Sequence, residues 1–138
     1  MDKHRVLILE DDPKRVKAFV DVLQRLGWEW DHTDNVESAK SFIDCHMAGD
    51  LYYDEIWLDH DLGGEESQMA ASDVGTGYEV AKHLAERIPE DDHVSLPVIV
   101  HSYNVPGAMN MLAVLGPRAR YIPFNILMGY LEKMVERK

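Results

Sequence analysis

Cysteine is almost missing from this chain of 138 residues. Cys45 stands alone, so no internal disulfide can form, and a reduced cytoplasm is the expected setting. Long apolar runs are missing as well. No stretch approaches the ~20 residues of a membrane-spanning helix. Met1 to Arg5 leads straight into a short strand, not into the apolar core of a signal peptide. Positive charge is scarce, with 14 Lys and Arg against 25 Asp and Glu, for a net charge of −11. Such a surface repels nucleic-acid backbones and argues against broad nucleic-acid binding, although a short nucleotide can still enter through a bound cation. There is no internal repeat, low-complexity tract or linker. What remains is 46% hydrophobic and 28% charged, an ordinary globular balance, and residues 1–138 are expected to form one domain.

The chain alternates apolar strand runs with helical patterns, five times over. Strand one is expected at about His4–Glu10. Helix one follows, with Asp12 as N-cap, Pro13 at the first helical position, an apolar stripe of Val16, Phe19, Val20, Leu23 and Leu26, and Gly27 as its stop. Trp28–His32 is a weaker second strand. Asn35–Met47 forms helix two, with Ala39, Phe42 and Ile43 inward, and Tyr53–Leu58 is strand three. The connection Asp61–Gly75 is longer than the usual ~2–6 residues. Thr76-Gly77-Tyr78-Glu79 has the capping-box pattern that opens helix three, whose buried face is Val80, Ala81, Leu84 and Ile88. Leu96–Val100 is strand four. Helix four starts near Asn104, with Pro106 in its first turn and Met109 and Leu112 inward. Ala119–Ile122 is strand five, and Phe124, Leu127, Met128, Leu131 and Val135 mark helix five. Met109, Met111, Met128 and Met134 all read as core.

Strands alternating with helices predict an α/β fold: a three-layer sandwich with a five-stranded parallel sheet in the flavodoxin-like order 2-1-3-4-5. Ligands in such folds bind beyond the carboxyl ends of the strands, at the crevice between strands one and three. Chemistry-bearing residues stand at those ends: Glu10-Asp11-Asp12, Asp59-His60-Asp61 and His101-Ser102. Two like charges ~4 Å apart repel by roughly 4 kcal/mol at an effective dielectric near 20, so crowded acids call for a cation. Magnesium, which favours oxygen ligands, is the expected ion, with manganese as its substitute. Two histidines among aspartates also suit zinc or manganese.

This pattern resembles the bacterial receiver domain over nearly the whole chain. The resemblance implies magnesium on Asp11, Asp12 and Asp59, a phosphoacceptor at Asp59 and a phosphate-binding hydroxyl at Ser102. Receivers carry a lysine just before the proline that follows strand five. Here the run is Tyr121-Ile122-Pro123-Phe124, and Ile122 holds that place. A more specific branch is similar in five runs: Leu58-Asp59-His60-Asp61-Leu62-Gly63-Gly64, Thr76-Gly77-Tyr78, Val100-His101-Ser102-Tyr103-Asn104, Val105-Pro106-Gly107-Ala108-Met109-Asn110-Met111 and Pro123-Phe124. These resemble cyclic-phosphate processing receiver domains, whose name implies metal-dependent handling of a cyclic phosphate ester.

The residues then take expected roles. Asp11, Asp12 and Asp59 are metal ligands, and Asp61 strengthens the site or binds a second ion. His101 and His60 are the proton carriers, since histidine titrates near neutral pH and ring opening must protonate a departing alkoxide. By strand alternation the His60 side chain points away from that of Asp59. Ser102, Asn104 and Thr76 contact phosphate, with attack by the Ser102 hydroxyl as its alternative catalytic role, while Asn104 and Thr76 also suit helix caps. The expected function is metal-dependent opening of a cyclic phosphate on a nucleotide or RNA end. The alternatives are a response-regulator receiver phosphorylated at Asp59 in a phosphorelay, or a ligand-binding pseudo-receiver without turnover. The expected partner is a small phosphorylated or cyclic-phosphate ligand, with no membrane. Surfaces on helix four and strand five offer a face for a homodimer.

Overall fold

Side-chain alternation along three short apolar strands builds the molecule. The structure, a computed structural model, describes residues 3–62, 75–88 and 96–138. Its elements are β1 (Arg5–Leu9), α1 (Pro13–Leu26), β2 (Glu29–Thr33), α2 (Val36–Ala48), β3 (Glu55–Leu58), α3 (Gly77–Arg87), β4 (Val98–Val100), α4 (Val105–Leu115), a 3-10 turn (Gly116–Arg118), β5 (Ala119–Tyr121) and α5 (Phe124–Glu136). The sheet order is β2-β1-β3-β4-β5, and every pair is parallel. This is the expected architecture. The Gly63-Gly64 pair and most of the Asp61–Gly75 connection lie outside the described residues. Among the described residues no helix is long and apolar enough to cross a membrane.

Period-two alternation divides the core in two. Leu7, Leu9, Ile56, Leu58, Val98 and Val100 face one side, where α2, α3 and α4 supply Ala39, Ile43, Val80, Leu84, Ala108 and Met111. Val6, Ile8 and Trp57 face the other, against Phe19, Val22, Leu23 and Leu26 of α1 and Leu127 and Leu131 of α5. Strands buried on both faces read as continuous apolar runs, which is why β1, β3 and β4 were legible.

Several strand ends are shorter than expected, for local reasons. Tyr53 precedes β3 because its amide donates to His46 Nδ1 (3.1 Å) and its hydroxyl to Asp31 Oδ2 (2.6 Å), which takes it out of the ladder. Pro97 lacks an amide hydrogen, so β4 starts at Val98, although the Pro97 carbonyl still accepts from Ile56 N at 3.0 Å. The helix signals worked as physics demands. Asp12 Oδ1 accepts from Lys14 N, Gly27 ends α1 in the left-handed region at φ 76°, and Asn104 Oδ1 caps α4 through Gly107 N.

Two methionines expected in the core are outside it. Met109 and Met134 are exposed, whereas Met111 is buried and Met128 half-buried. On α4 the inward row is Gly107, Ala108, Met111 and Leu115. Placing the small Gly107-Ala108 pair inward turns Met109 outward. On α5 the inward row of Leu127 and Leu131 is joined by Val135 rather than Met134. On α1, Val22 takes the buried place and Val20 is half-buried.

Phe19 is the hub beneath the strand ends. Its ring centre lies 5.1 Å from Trp57, 5.2 Å from His101 and 5.1 Å from Phe124. Truncation to Phe19→Ala is expected to cost about 3–5 kcal/mol in urea unfolding, the range for a fully buried phenylalanine. A loss below about 1 kcal/mol would show that the α1–α5 face repacks without it.

Candidate functional site

Strand register decides which acids meet. Leu9 pairs with Leu58, and Leu58 with Val100. The ladder continues one step further, with Asp59 N on Leu9 O (3.1 Å) and His101 N on Leu58 O (3.0 Å). Glu10, Asp59 and His101 therefore form one row across β1, β3 and β4. By alternation they share a face with Ile8, Trp57 and Ile99, the side covered by α1 and α5. His60 turns the other way, as alternation requires.

Three carboxylates converge at the front of this row. Oxygens of Glu10, Asp11 and Asp59 all lie within 4.8 Å of one another. Glu10 is fully buried. Its Oε2 accepts from Asp12 N (3.0 Å), while Oε1 makes no hydrogen bond. In front lies an open cavity of about 400 Å3 lined by Asp11, Asp12, Arg15, Asp59, Asp61, Ser102, Tyr103 and Asn104.

The sequence expectations sort unevenly onto this geometry. Asp11 and Asp59 belong to the trio. Asp12 lines the cavity but is not in the trio: its Oδ1 is committed to capping α1, and Glu10 holds the inner place instead. Asp61 lines the cavity from the side. Its Oδ1 lies 2.7 Å from His60 Nδ1 and accepts from Asn104 Nδ2 at 2.9 Å. Ser102 and Asn104 line the cavity too, joined by Asn104 N donating to Ser102 Oγ (3.0 Å). Thr76 is buried and caps α3 through Tyr78 N, away from the cavity.

Neither histidine faces the cavity. His101 is fully buried against Phe19, with Nδ1 3.6 Å from Glu10 Oε1, and neither ring nitrogen makes a hydrogen bond. His60 packs beneath α4, so close that a Cβ on Gly107 would lie 2.5 Å from its Cγ. Direct proton delivery by His101, as the residue types implied, is corrected by this burial: the ring is a wall of the site. Gly77 has a matching constraint. A Cβ there would sit 1.8 Å from the Asp59 carbonyl oxygen, so only glycine lets α3 approach the β3 end.

Two lining residues were missed, Arg15 and Tyr103. Arg15 was legible in principle. It stands four residues before Phe19, at the head of the buried stripe of α1. Glu10 was legible through the alternation that places it in the row of Asp59.

Burial sets the titration of the row. It raises Glu10, with Asp12's amide and Arg15 pulling back. Burial first, and then the charge of Glu10, push Asp59 up to about 8. Burial drives His101 down to about 3, helped by the Arg15 charge, so the ring is neutral near pH 7 and its approach to Glu10 is not an ion pair. A buried carboxylate oxygen without a hydrogen bond is costly, and two buried acids that resist ionising together fit a hard divalent cation such as magnesium or manganese. The Glu10, Asp11 and Asp59 oxygens fit that group.

The profile of the cyclic-phosphate processing receiver domain matches residues 6–116, from β1 to the end of α4. The chain belongs to that family. Solved receiver structures share the fold of this family member at low identity. One is the receiver domain of a sensor histidine kinase from Pseudomonas aeruginosa, described with magnesium coordinated in its active-site cleft. It is 18% identical, with a TM-score of 0.68, covering 99% of this chain and 97% of that one. Another is the receiver domain of the histidine kinase CKI1 from Arabidopsis thaliana, complexed with Mg2+ and BeF3−. It is 18% identical, with a TM-score of 0.67 and coverage of 98% and 91%. A CheY-like receiver from Methanospirillum hungatei is 13% identical, with a TM-score of 0.66 and coverage of 99% and 96%. Among curated proteins, none matches.

The shifts predict how the metal-free protein responds to pH. Asp59 moves from 3.8 unfolded to about 8 folded, so the native state holds an extra proton between those values and loses stability as pH rises through them. His101 moves from 6.5 to about 3, so it acts oppositely, and only below 6.5. Between pH 6.5 and about 8 the acids act alone. Urea unfolding in chelator should show stability falling across that window, and Asp59→Asn should flatten it. A wild-type curve that rises there would contradict the buried acid pair.

Proposed function

We propose that this cavity binds a cyclic phosphate ester of a nucleotide or RNA end and opens it by hydrolysis. The observation that supports the reading most is the buried carboxylate trio, with its uncommitted Glu10 oxygen, facing a cavity whose other wall carries Ser102 and Asn104. Glu10, Asp11 and Asp59 are the residues to hold a divalent ion, Mg2+ or Mn2+. Such an ion, when bound, polarises a phosphoryl oxygen and lowers the pKa of water.

The chain's own groups do the rest. Ser102 Oγ already accepts from the Asn104 amide, so its hydrogen is directed to another acceptor, a phosphate oxygen in this reading. Asn104 gives one amide hydrogen to Asp61 and accepts from Gly107 N, so it braces the wall and keeps a second amide hydrogen to offer a phosphate oxygen. Asp61, fixed between His60 and Asn104, faces the cavity as a proton acceptor. Water adds to phosphorus and gives its proton to Asp61. One ring P–O bond breaks, and that proton passes to the freed ribose oxygen. The net change is one water consumed and one phosphomonoester formed beside a free hydroxyl. His60 holds Asp61 in place, and neutral His101 with Phe19 keeps water from behind the acids.

A second reading has its own support. Asp59 and Ser102 line the same cavity on a receiver fold, so Asp59 can instead accept a phosphoryl group as a signal. Without a lysine at Ile122, that reading lacks one of the groups which the receiver resemblance implies.

Turnover of 2′,3′- and 3′,5′-cyclic nucleotides with Mg2+ or Mn2+ separates the two. Wild type should release a phosphomonoester, Asp59→Asn should abolish the reaction, and Asp61→Asn should slow it by about 10²–10⁴, the range for a lost proton carrier. No turnover on either ester, with stable labelling of Asp59 by acetyl phosphate, would replace the enzyme by the signalling module.

A further inference from the structure

Arg15 is the one cation among the described residues lining the cavity. Three carboxylates surround it. Its Nη1 lies 3.5 Å from Glu10 Oε1 and 3.9 Å from Asp59 Oδ2, and its Nε lies 3.6 Å from Asp12 Oδ2. None of these is a hydrogen bond, since all lie beyond the ~2.7–3.2 Å of N–H···O contacts. Other arginines here do close. Arg5 grips Asp31 through Nε and Nη2 at 3.2, 3.1 and 3.0 Å, and Arg25 Nη1 meets Glu132 at 2.9 Å. Arg15 thus meets its acids only through long ion pairs, with none of its five N–H donors in a hydrogen bond among the described residues, in a side chain only 27% exposed.

Aromatic rings hold it alongside the acids. The guanidinium carbon lies 5.2 Å from the Tyr103 ring centre and 5.9 Å from that of Phe124, within cation–π range. Both rings are anchored. The Tyr103 hydroxyl accepts from Asn125 N (3.2 Å) and donates to Asn125 Oδ1 (3.3 Å), and Phe124 packs edge-on to Phe19. The segment after β4 and the start of α5 therefore grip a cation contributed by α1. Beside Pro123 the turn into α5 offers only Ile122, whose side chain packs into the α1–α5 core.

We infer that Arg15 is the anion-binding residue of the cavity, its guanidinium forking onto non-bridging oxygens of a phosphate group across from Ser102. This rests on the reading of the cavity as a phosphate-ester site. The chemistry is that of a planar fork matched to a phosphate edge. With a divalent ion on the trio, the charge of Glu10 and Asp59 is engaged elsewhere, and the clamped guanidinium is left facing the cavity. Asp12, the third acid near it, is half-exposed and caps the helix through Oδ1, leaving its Oδ2 in a solvent-screened pair with Arg15.

The test uses the full chain, with inorganic phosphate and Mg2+ as probes, titrated calorimetrically into wild type, Arg15→Met and Arg15→Lys after circular dichroism confirms folding. Arg15→Met keeps an apolar stem against the rings. It should bind Mg2+ at least as tightly as wild type, because a neighbouring positive charge has gone, while phosphate affinity falls about tenfold or more. Arg15→Lys should recover only part of that loss, because a point charge does not fork. Unchanged phosphate affinity in Arg15→Met, or a wild type that binds no phosphate, would overturn the assignment. So would loss of Mg2+ together with phosphate, which would make Arg15 an organiser of the acids. If wild type binds phosphate but no Mg2+, and Arg15→Met loses the phosphate, the anion site stands and the metal reading falls.

Discussion

The constraint behind the whole site is a backbone hydrogen bond between strands. Asp59 N on Leu9 O locks the end of β3 beside the end of β1, and that register places the Glu10 and Asp59 side chains next to each other on one face. The ladder fixes both Cα–Cβ bonds toward the same face. Both are almost completely buried, so water does not screen them. The sheet thus stores an electrostatic cost at its edge, and only a proton, an arginine or a metal ion can offset it. Protonation and Arg15 are the offsets that this structure displays.

The surroundings close the back of the site. Phe19 and neutral His101 close it from behind. Gly77 lets α3 lean on the Asp59 carbonyl, and Gly107 lets α4 press on the His60 ring. His60 in turn steadies Asp61 at the cavity wall. Two glycines therefore set the distance between the helices and the end of β3, and a histidine that looks chemical instead packs against a carboxylate. The front stays polar and open, with Ser102, Tyr103 and Asn104 facing the acids.

Much of this was readable from residues alone, for identifiable reasons. Continuous apolar runs such as Val6-Leu7-Ile8-Leu9 revealed strands buried on both faces, and strict strand–helix alternation left few topologies. Asp12-Pro13, Thr76 and Asn104 marked helix starts through capping chemistry that needs no tertiary context. Asp11 and Asp59 do converge as expected, but Glu10 rather than Asp12 stands with them. Adjacent acids in Glu10-Asp11-Asp12 differ only in direction. Applying alternation past the last strand residue selects Glu10, whereas chain proximity favoured Asp12. His101 carried a chemically suggestive residue type, yet its place in the row beside Asp59 buries it under Phe19. Arg15 hid in a helix stripe because arginine is normally counted as surface. Met109 and Met134 were placed inward by helical spacing one residue out of phase: the small Gly107-Ala108 pair takes the inner face of α4, and Val135 that of α5.

A fold of this kind thus converts three strand ends into a charged pocket, and the family's name gives that pocket a chemical direction. The central claim is that Glu10, Asp11 and Asp59 share one divalent ion. Crystals grown with Mn2+ and measured at the manganese absorption edge test it most directly. The account predicts one anomalous peak within coordination distance of all three carboxylates. A peak bound by Asp12 and Asp61 with Glu10 left aside, or no peak in the cavity at saturating Mn2+, would contradict it.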